Sequence, residues 1–302
     1  MRALLTGATG FIGQHLLKRL DRPVVLSRNA DKARQALAKF NVQTYSWNPL
    51  AGPPPLEAFE GVDAVFHLAG ESVASGRWTA EKKRLIRESR ELGTRHFVQT
   101  LQQLKNRPRV LVSASATGWY GDRGDEVLEE SAPPADDFLG EVCVAWEREA
   151  QKATELGVRV ACIRTGIALG LDGGALKQLL PPFRFGLGGP LGSGKQWMPW
   201  IHVGDLAALF LHAAERSAVT GPINAAAPNA VTNKQFTKAL GAAVHRPAIL
   251  PVPYYALRLA LGEFAQVLFD SQRVIPRAAQ ASGFQFSYPE IGPALDAIVS
   301  VA

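Results

Sequence analysis

Only two cysteines occur in the 302 residues, Cys143 and Cys162, and they form no Cys-x-x-Cys pair. That excludes a disulfide framework and a thiolate zinc site. The six histidines are scattered without ligand spacing, so no metal is expected. No apolar run approaches the roughly 18 residues of a membrane span. A basic tail is also missing. The net charge is +6, but the densest stretch, Glu81–Arg90, sets Glu81 and Glu88 among its lysines and arginines. Alternating signs at i,i+4 spacing describe a solvated helix face, not a nucleic-acid tract. A mildly basic surface suits a phosphate-bearing small molecule. The first apolar run starts at Ala3, which leaves no signal peptide ahead of it, so a cytoplasmic protein is expected. The expected partner is therefore a small-molecule substrate rather than nucleic acid or membrane, with the chain acting as a monomer or homodimer.

What is present is an ordinary soluble composition, 47% hydrophobic and 20% charged, in a chain long enough for one domain and a smaller one. Short β-rich runs at Ala3–Leu5, Val24–Leu26, Ala64–Leu68, Val110–Val112 and Val158–Ile163 read as strands buried on both faces. Val42–Trp47 is a weaker strand. Helical periodicity lies between them at 11–21, 30–39, 79–104 and 138–156. Such alternation predicts an α/β fold, a doubly wound parallel-sheet Rossmann domain. Residues 170–194 are rich in Gly and Pro and read as a long functional loop. Helical patterns return at 204–216, 232–244, 254–269 and 289–300. The expected division is a cofactor domain over 1–169, rejoined by 200–228, and a smaller C-terminal cap over 170–199 and 229–302.

Gly7, Gly10 and Gly13 lie between the first strand and the first helix. A tight turn needs a residue without Cβ, and a pyrophosphate needs close approach to backbone N–H groups. The last glycine lets a helix sit close on the sheet. The turn Gly7, Thr9, Gly10, Phe11, Ile12, Gly13 is thus a candidate dinucleotide cradle. At the end of the second strand an NAD site carries an acid for the ribose 2′-OH. Here stand Ser27 and Arg28 instead. Arginine binds a 2′-phosphate that a carboxylate would repel, so NADP(H) is the expected cofactor. Leu68, Ala69, Gly70 and Glu71 follow the fourth strand as further contacts. The fifth strand ends in Ser113, Ser115, Thr117 and Tyr120, at the edge where open α/β sheets bind ligands.

These segments resemble the extended short-chain dehydrogenase/reductases, the group that contains the nucleotide-sugar epimerases. The resemblance runs through Thr6–Gly13, His67–Gly70, Ser113–Gly121, Arg164–Gly170, Gly192–Trp197 and Trp200–Asp205. In the tail, Leu261–Glu263, Ser271–Pro276 and Gly283–Phe286 narrow it to an atypical, NADP-binding, epimerase-like branch of uncertain substrate. The resemblance implies an oxidoreductase or epimerase-like enzyme, with Arg90, Ser113, Arg164 and Gly166 added to the cofactor set and Ser115 at the active-site serine position.

The chain also departs from that pattern. The family's Tyr-x-x-x-Lys pair falls on Leu139 and Cys143, which supply neither a proton nor a cation. Arg90 stands where the family often has a helper asparagine. Tyr120 is the nearby phenol and a candidate acid, although a packed aromatic fits the same pattern. Lys195 and His202 could face the cofactor from the second lobe. Trp119, Trp197 and Trp200 fit either a pocket wall or a core between lobes. Two functions remain open: an NADP(H)-dependent oxidoreductase or epimerase-like enzyme on a small carbonyl or hydroxyl compound, and a non-catalytic NADP(H)-binding redox sensor or regulator.

Overall fold

Seven runs of the chain pair into one all-parallel sheet in the computed structural model, which describes residues 1–300. The strands are β1 (Ala3–Thr6), β2 (Val24–Ser27), β3 (Gln43–Ser46), β4 (Ala64–His67), β5 (Val110–Ala116), β6 (Arg159–Thr165) and β7 (Gly221–Ala225). Their order across the sheet is β7-β6-β5-β4-β1-β2-β3. The order reverses at β1, so the carboxyl ends of β1 and β4 open a crevice there. Register brings Thr6 beside His67 and Ser115 beside Arg164.

The helices are α1 (Phe11–Leu17), α2 (Ala30–Ala36), α3 (Ala80–Gln103), α4 (Phe138–Gln151), α5 (Gly174–Arg184), α6 (Val203–Glu215), α7 (Asn233–Ala243), α8 (Tyr254–Leu261), α9 (Arg277–Ala281) and α10 (Ile291–Val299). Two apolar cores flank the sheet. One joins Leu16, Phe66, Val112, Ile163, Leu206 and Phe210. The other joins Leu4, Val65, Phe97, Leu111 and Val160. Strand residues of alternate parity feed opposite cores, as period-two geometry requires. A further core, built from Leu176, Phe183, Trp200, Phe236, Leu240 and Leu295, holds the C-terminal lobe.

The expected long loop at 170–194 contains α5, whose Leu176, Leu180 and Phe183 are buried at i, i+4 and i+7. Pro181 and Pro182 lie inside this helix and masked its pattern. Strand β7 was also unforeseen, because Gly221 and Pro222 begin it. It is the sheet edge, where proline is tolerated. No described helix is long and apolar enough to cross a membrane.

Candidate cofactor cleft

The turn after β1 depends on glycine at two points. Gly7 has φ +69°, and a Cβ there would stand 2.8 Å from the Leu68 carbonyl carbon and oxygen. A Cβ on Gly13 would collide with the Gly7 carbonyl and the Ala8 backbone. Gly10 differs: it is the extended residue before α1, with φ −77°, and faces outward. No side chain caps α1. By contrast, Asn29, Thr79 and Asp137 each cap the helix that follows. The amides that open α1 therefore remain available to a ligand.

The facing wall is the turn after β4, pinned by a buried network. Thr6 Oγ1 accepts from Leu68 N (3.0 Å) and Ala69 N (2.9 Å). Its single proton is thus directed to His67 Nδ1 at 2.9 Å, and His67 Nε2–H donates to Thr94 Oγ1 at 3.1 Å. The imidazole is neutral in this arrangement, and burial lowers its pKa to about 4. Three threonine and histidine side chains thereby fix the backbone of Leu68 and Ala69 against Gly7.

Ser27 ends β2 and Arg28 follows it, exposed and free of side-chain hydrogen bonds among the described residues. The Ser27 hydroxyl accepts from Asn29 N at 3.4 Å. Phe11 turns its ring under Gly170, Gly173 and Gly174, where any Cβ would meet it. Ile12, Leu68, Ala69, Glu71, Gly166, Ile167 and Ala168, all at or just beyond strand ends or at the start of α1, are half-buried. Gly166 is also held against the Pro199 carbonyl, with no room for a side chain. Arg90 reaches the same crevice from α3. Leu139 packs against Gly118, and Cys143 lies beneath the end of β5 with its Sγ 3.7 Å from the Ala116 carbonyl. Burial pushes the Cys143 thiol up to about 12, so it is a neutral group.

Four expected site residues are buried. Ser115 is 3% exposed, and its hydroxyl donates to Glu147 Oε1 at 2.6 Å. Ser113 is buried and bonds the Ala114 carbonyl. Arg164, expected at the cofactor, is 2% exposed and forms a two-point ion pair with Glu147 at 2.9 and 3.0 Å. Its guanidinium also lies 3.7 Å from the Trp119 ring centroid. Tyr120 has no exposed surface; its hydroxyl donates to Asn224 Oδ1 (2.6 Å) and accepts from Arg164 Nη1 (3.1 Å). Burial raises its pKa, the wrong direction for a group that must exchange a proton near neutrality. The structure places all four in buried positions with their polar groups bonded to protein partners. A parallel sheet buries both faces, so hydroxyls near a strand end can point into the helix layer instead of the crevice. Glu147, the centre of this network, was missed because a helical glutamate normally reads as solvent-facing.

His202 is also a structural group: Nδ1 accepts from Gly204 N at 3.0 Å, and its ring stacks on Tyr288. Lys195 is exposed. Trp200 is core of the C-terminal lobe, whereas Trp197 is half-buried with its N–H on Asp125. At the rim, Trp78 packs on Phe138 and on Phe264, just beyond α8. Lys83 pairs with Glu263 across the same seam. The C-terminal lobe thus closes over the α3–α4 side of the crevice.

A family model described as "NAD dependent epimerase/dehydratase family" matches residues 3–226. The chain belongs to this family. Residues 252–298 match a second model, described as a domain of unknown function, so that the family chain carries an appended segment beginning just before α8. Among similar proteins are the epimerase family protein YfhF of Bacillus subtilis, 38% identical over 99% of this chain and 98% of its own length, and the chloroplastic SDR39U1 homologue of Arabidopsis thaliana, 42% identical over 99% of this chain and 87% of its own. The crystal structure of human epimerase family protein SDR39U1 with NADPH is 32% identical, covers both chains completely and superposes with a TM-score of 0.88. A UDP-glucuronic acid 4-epimerase of Bacillus cereus, at 16% identity and TM-score 0.78, shares the fold.

Proposed function

We propose that this epimerase-family chain binds NADP(H) along the carboxyl ends of β1, β2, β4, β5 and β6 and acts as an oxidoreductase or epimerase-like enzyme on a small carbonyl or hydroxyl compound. The observation that carries the reading is the combination of the glycine turn with an unpaired Arg28, and no acid, at the end of β2. A carboxylate there would repel a 2′-phosphate; the guanidinium attracts it. The NADPH bound in the human relative is consistent with this chemistry.

Gly10 gives the cofactor's diphosphate close approach, Gly7 and Gly13 let the turn pack against the β4 turn and its own backbone, and the uncapped amides of α1 face the diphosphate. Ser27 and Arg28 hold the 2′-phosphate. Leu68, Ala69 and Gly70 form the opposite wall. Bound NADP(H) supplies hydride-transfer chemistry. The residues around the crevice position the cofactor and exclude water under the Trp78–Phe138–Phe264 seam. Ser115 and Tyr120 hold the sheet to the C-terminal lobe.

A second reading, a non-catalytic NADP(H) sensor, is favoured by one specific observation: the serine, the phenol and the positions of the pair at 139 and 143 leave no side-chain proton donor of the usual kind in the crevice. The deciding experiment titrates NADPH and NADH, then follows NADPH oxidation with a panel of ketones, aldehydes and nucleotide sugars. Tight NADPH binding with turnover of any compound supports the enzyme. Tight binding without turnover supports the sensor, and failure to bind NADPH overturns both.

A further inference from the structure

Ten large hydrophobic side chains are exposed among the described residues, and six of them lie in one lobe: Phe185, Leu187, Ile249, Leu250, Tyr255 and Leu259. The first two follow α5, the next two precede α8, and the last two stand on α8 at i and i+4, on one face. Phe185 (80%), Ile249 (76%), Tyr255 (81%) and Leu259 (77%) are mostly in solvent. Seven of the eight residues of α8 are apolar, yet none is buried.

These segments are joined. Leu250 N donates to the Gly188 carbonyl, the Gly189 backbone lies against Leu250, and Arg246 Nε donates to the Arg184 carbonyl. The loop after α5 and residues 245–250 therefore share a surface that continues into α8. At its far end Arg77, beside Trp78 of the crevice rim, donates to the Leu259 carbonyl. Monomers seldom leave such a group of apolar side chains uncovered, and where they do it marks a contact with protein or lipid.

Charge decides between these. No aspartate or glutamate occurs in residues 173–204 or 216–262. Lys177, Arg184, Arg246 and Arg258 lie in those stretches, all exposed and none paired with a carboxylate among the described residues. Elsewhere the chain pairs its bases, as Arg84 with Glu81 and Glu88. The acids that flank the two stretches are engaged away from this face, Asp172 with His15 and Lys18, and Glu263 with Lys83. Two copies meeting here would set like charges against each other across a twofold axis. Nucleic acid would satisfy the bases and leave Leu187, Ile249, Leu250 and Leu259 without partners. An anionic lipid surface satisfies both sets: its phosphates take the cations, and the acyl boundary takes the aromatic and aliphatic side chains. That no described helix can cross a bilayer does not bear on a surface contact.

We propose that the C-terminal lobe docks on the surface of an anionic bilayer through the loop after α5, residues 245–250 and α8.

Co-sedimentation of the full chain with vesicles tests this, using phosphatidylcholine alone and an equal mixture of phosphatidylcholine and phosphatidylglycerol. Wild type should pellet with the mixed vesicles, far less with phosphatidylcholine, and less at high salt, which screens the attraction. Phe185→Ser with Ile249→Ser should lower the partition coefficient by about tenfold or more, because two large side chains no longer enter the lipid boundary. Arg184→Glu with Arg246→Glu should remove the preference for phosphatidylglycerol. Both double variants replace exposed side chains and should keep the wild-type circular dichroism spectrum. Leu56→Ser, an exposed leucine of the other lobe, should pellet as wild type does. Failure of wild type to pellet with the mixed vesicles overturns the proposal, as does equal pelleting with the two vesicle types or by wild type and both double variants. Dimerisation in sedimentation velocity that Phe185→Ser with Ile249→Ser abolishes, without vesicle binding, assigns the face to a second copy. Retention of a labelled oligonucleotide without vesicle binding assigns it to nucleic acid. Either result also overturns the proposal.

Discussion

Ser115 Oγ donates to Glu147 Oε1 at 2.6 Å, and the same carboxylate holds Arg164 through both its oxygens. A serine at a strand end in this family invites a catalytic reading. In this chain its proton is already placed on a buried carboxylate. From Arg164 the network runs to Tyr120 and Asn224, and Asn224 Nδ2 donates to the Ile275 carbonyl. It ties β5, β6, α4 and β7 to the C-terminal segment.

Ser115→Ala and Tyr120→Phe are therefore expected to behave as stability variants. Removing a hydrogen bond to a buried charged group costs about 1.5–3 kcal/mol, and a neutral one about 1 kcal/mol. The urea midpoint should fall in both, since each hydroxyl bonds a charged partner, Glu147 or Arg164, while NADPH affinity stays at the wild-type value. A catalytic role would give the reverse: unchanged midpoints and lost turnover.

Arg28→Asp should erase or reverse the preference for NADPH over NADH. The side chain is exposed and unpaired, so its removal breaks no internal contact. Loss of a charge-assisted contact predicts at least about a tenfold drop in NADPH affinity, and the new carboxylate adds repulsion. Titration of both cofactors against intrinsic tryptophan fluorescence measures the ratio. Equal ratios in wild type and variant would sink the assignment of the 2′-phosphate to Arg28.

Strand-helix alternation up to Ile163 and the glycine turn were legible because each carries a local signal: β-branched runs, 3.6-residue periodicity, glycines at a strand-helix boundary. Six of the seven strands follow from such signals. Helix α5 was hidden by Pro181 and Pro182, and β7 by Gly221 and Pro222, since each pair locally contradicts the element it sits in. The orientation of Ser115 and Arg164 was not legible. Period-two geometry places them on one face, but which face meets the crevice depends on the helix packed against it. Glu147 did leave a trace. It falls four residues after Cys143, on the buried face of α4, where an unpaired acid would be out of place.

His67 predicts a pH dependence of stability. Burial lowers its pKa to about 4 in the folded protein from the ordinary 6.5 of a solvated histidine. Above pH 6.5 neither state is protonated and the full stability is present. As pH falls from 6.5 towards 4, the unfolded chain takes up the proton and the native state does not. Stability should then decline by about 1.4 kcal/mol per pH unit, to about 3 kcal/mol in all. Burial also lowers His15, His202 and His212, which add in the same direction. Subtracting the pH profile of His67→Gln from that of wild type isolates the His67 share. Parallel profiles would show that His67 titrates normally.

The three glycines of the turn should separate into two classes. Gly7→Ala meets the Leu68 carbonyl at positive φ, and Gly13→Ala meets the Gly7 carbonyl, so both should lower expression or melt early. Gly10 has φ −77°, and the nearest atom to a Cβ there is the Gly7 carbonyl oxygen at 3.2 Å. Gly10→Val should fold with a near-native circular dichroism spectrum and fail to bind NADPH, because its branched side chain enters the space of the diphosphate. Normal NADPH affinity in that variant would place the diphosphate elsewhere.

Turnover of ordinary nucleotide sugars should be absent or very slow. A positioned general acid or base contributes about 10²–10⁴-fold. Leu139 cannot supply one, and the Cys143 thiol, with its pKa pushed up to about 12, holds its proton and carries no charge at neutral pH. Tyr120 is no substitute, since its hydroxyl is buried between Asn224 and Arg164 with its pKa raised by burial. Any slow activity would rely on water for the proton, so it should survive Tyr120→Phe in protein that remains folded. Leu139→Tyr with Cys143→Lys is the gain-of-function test: the positions stand beside Gly118 and beneath Ala116, and the pair would restore the phenol and cation of the family pattern. Assays with UDP-sugars and simple ketones compare the double variant with wild type. Fast epimerisation by wild type alone would refute the argument, because the proton would then be coming from a group that these distances place out of reach.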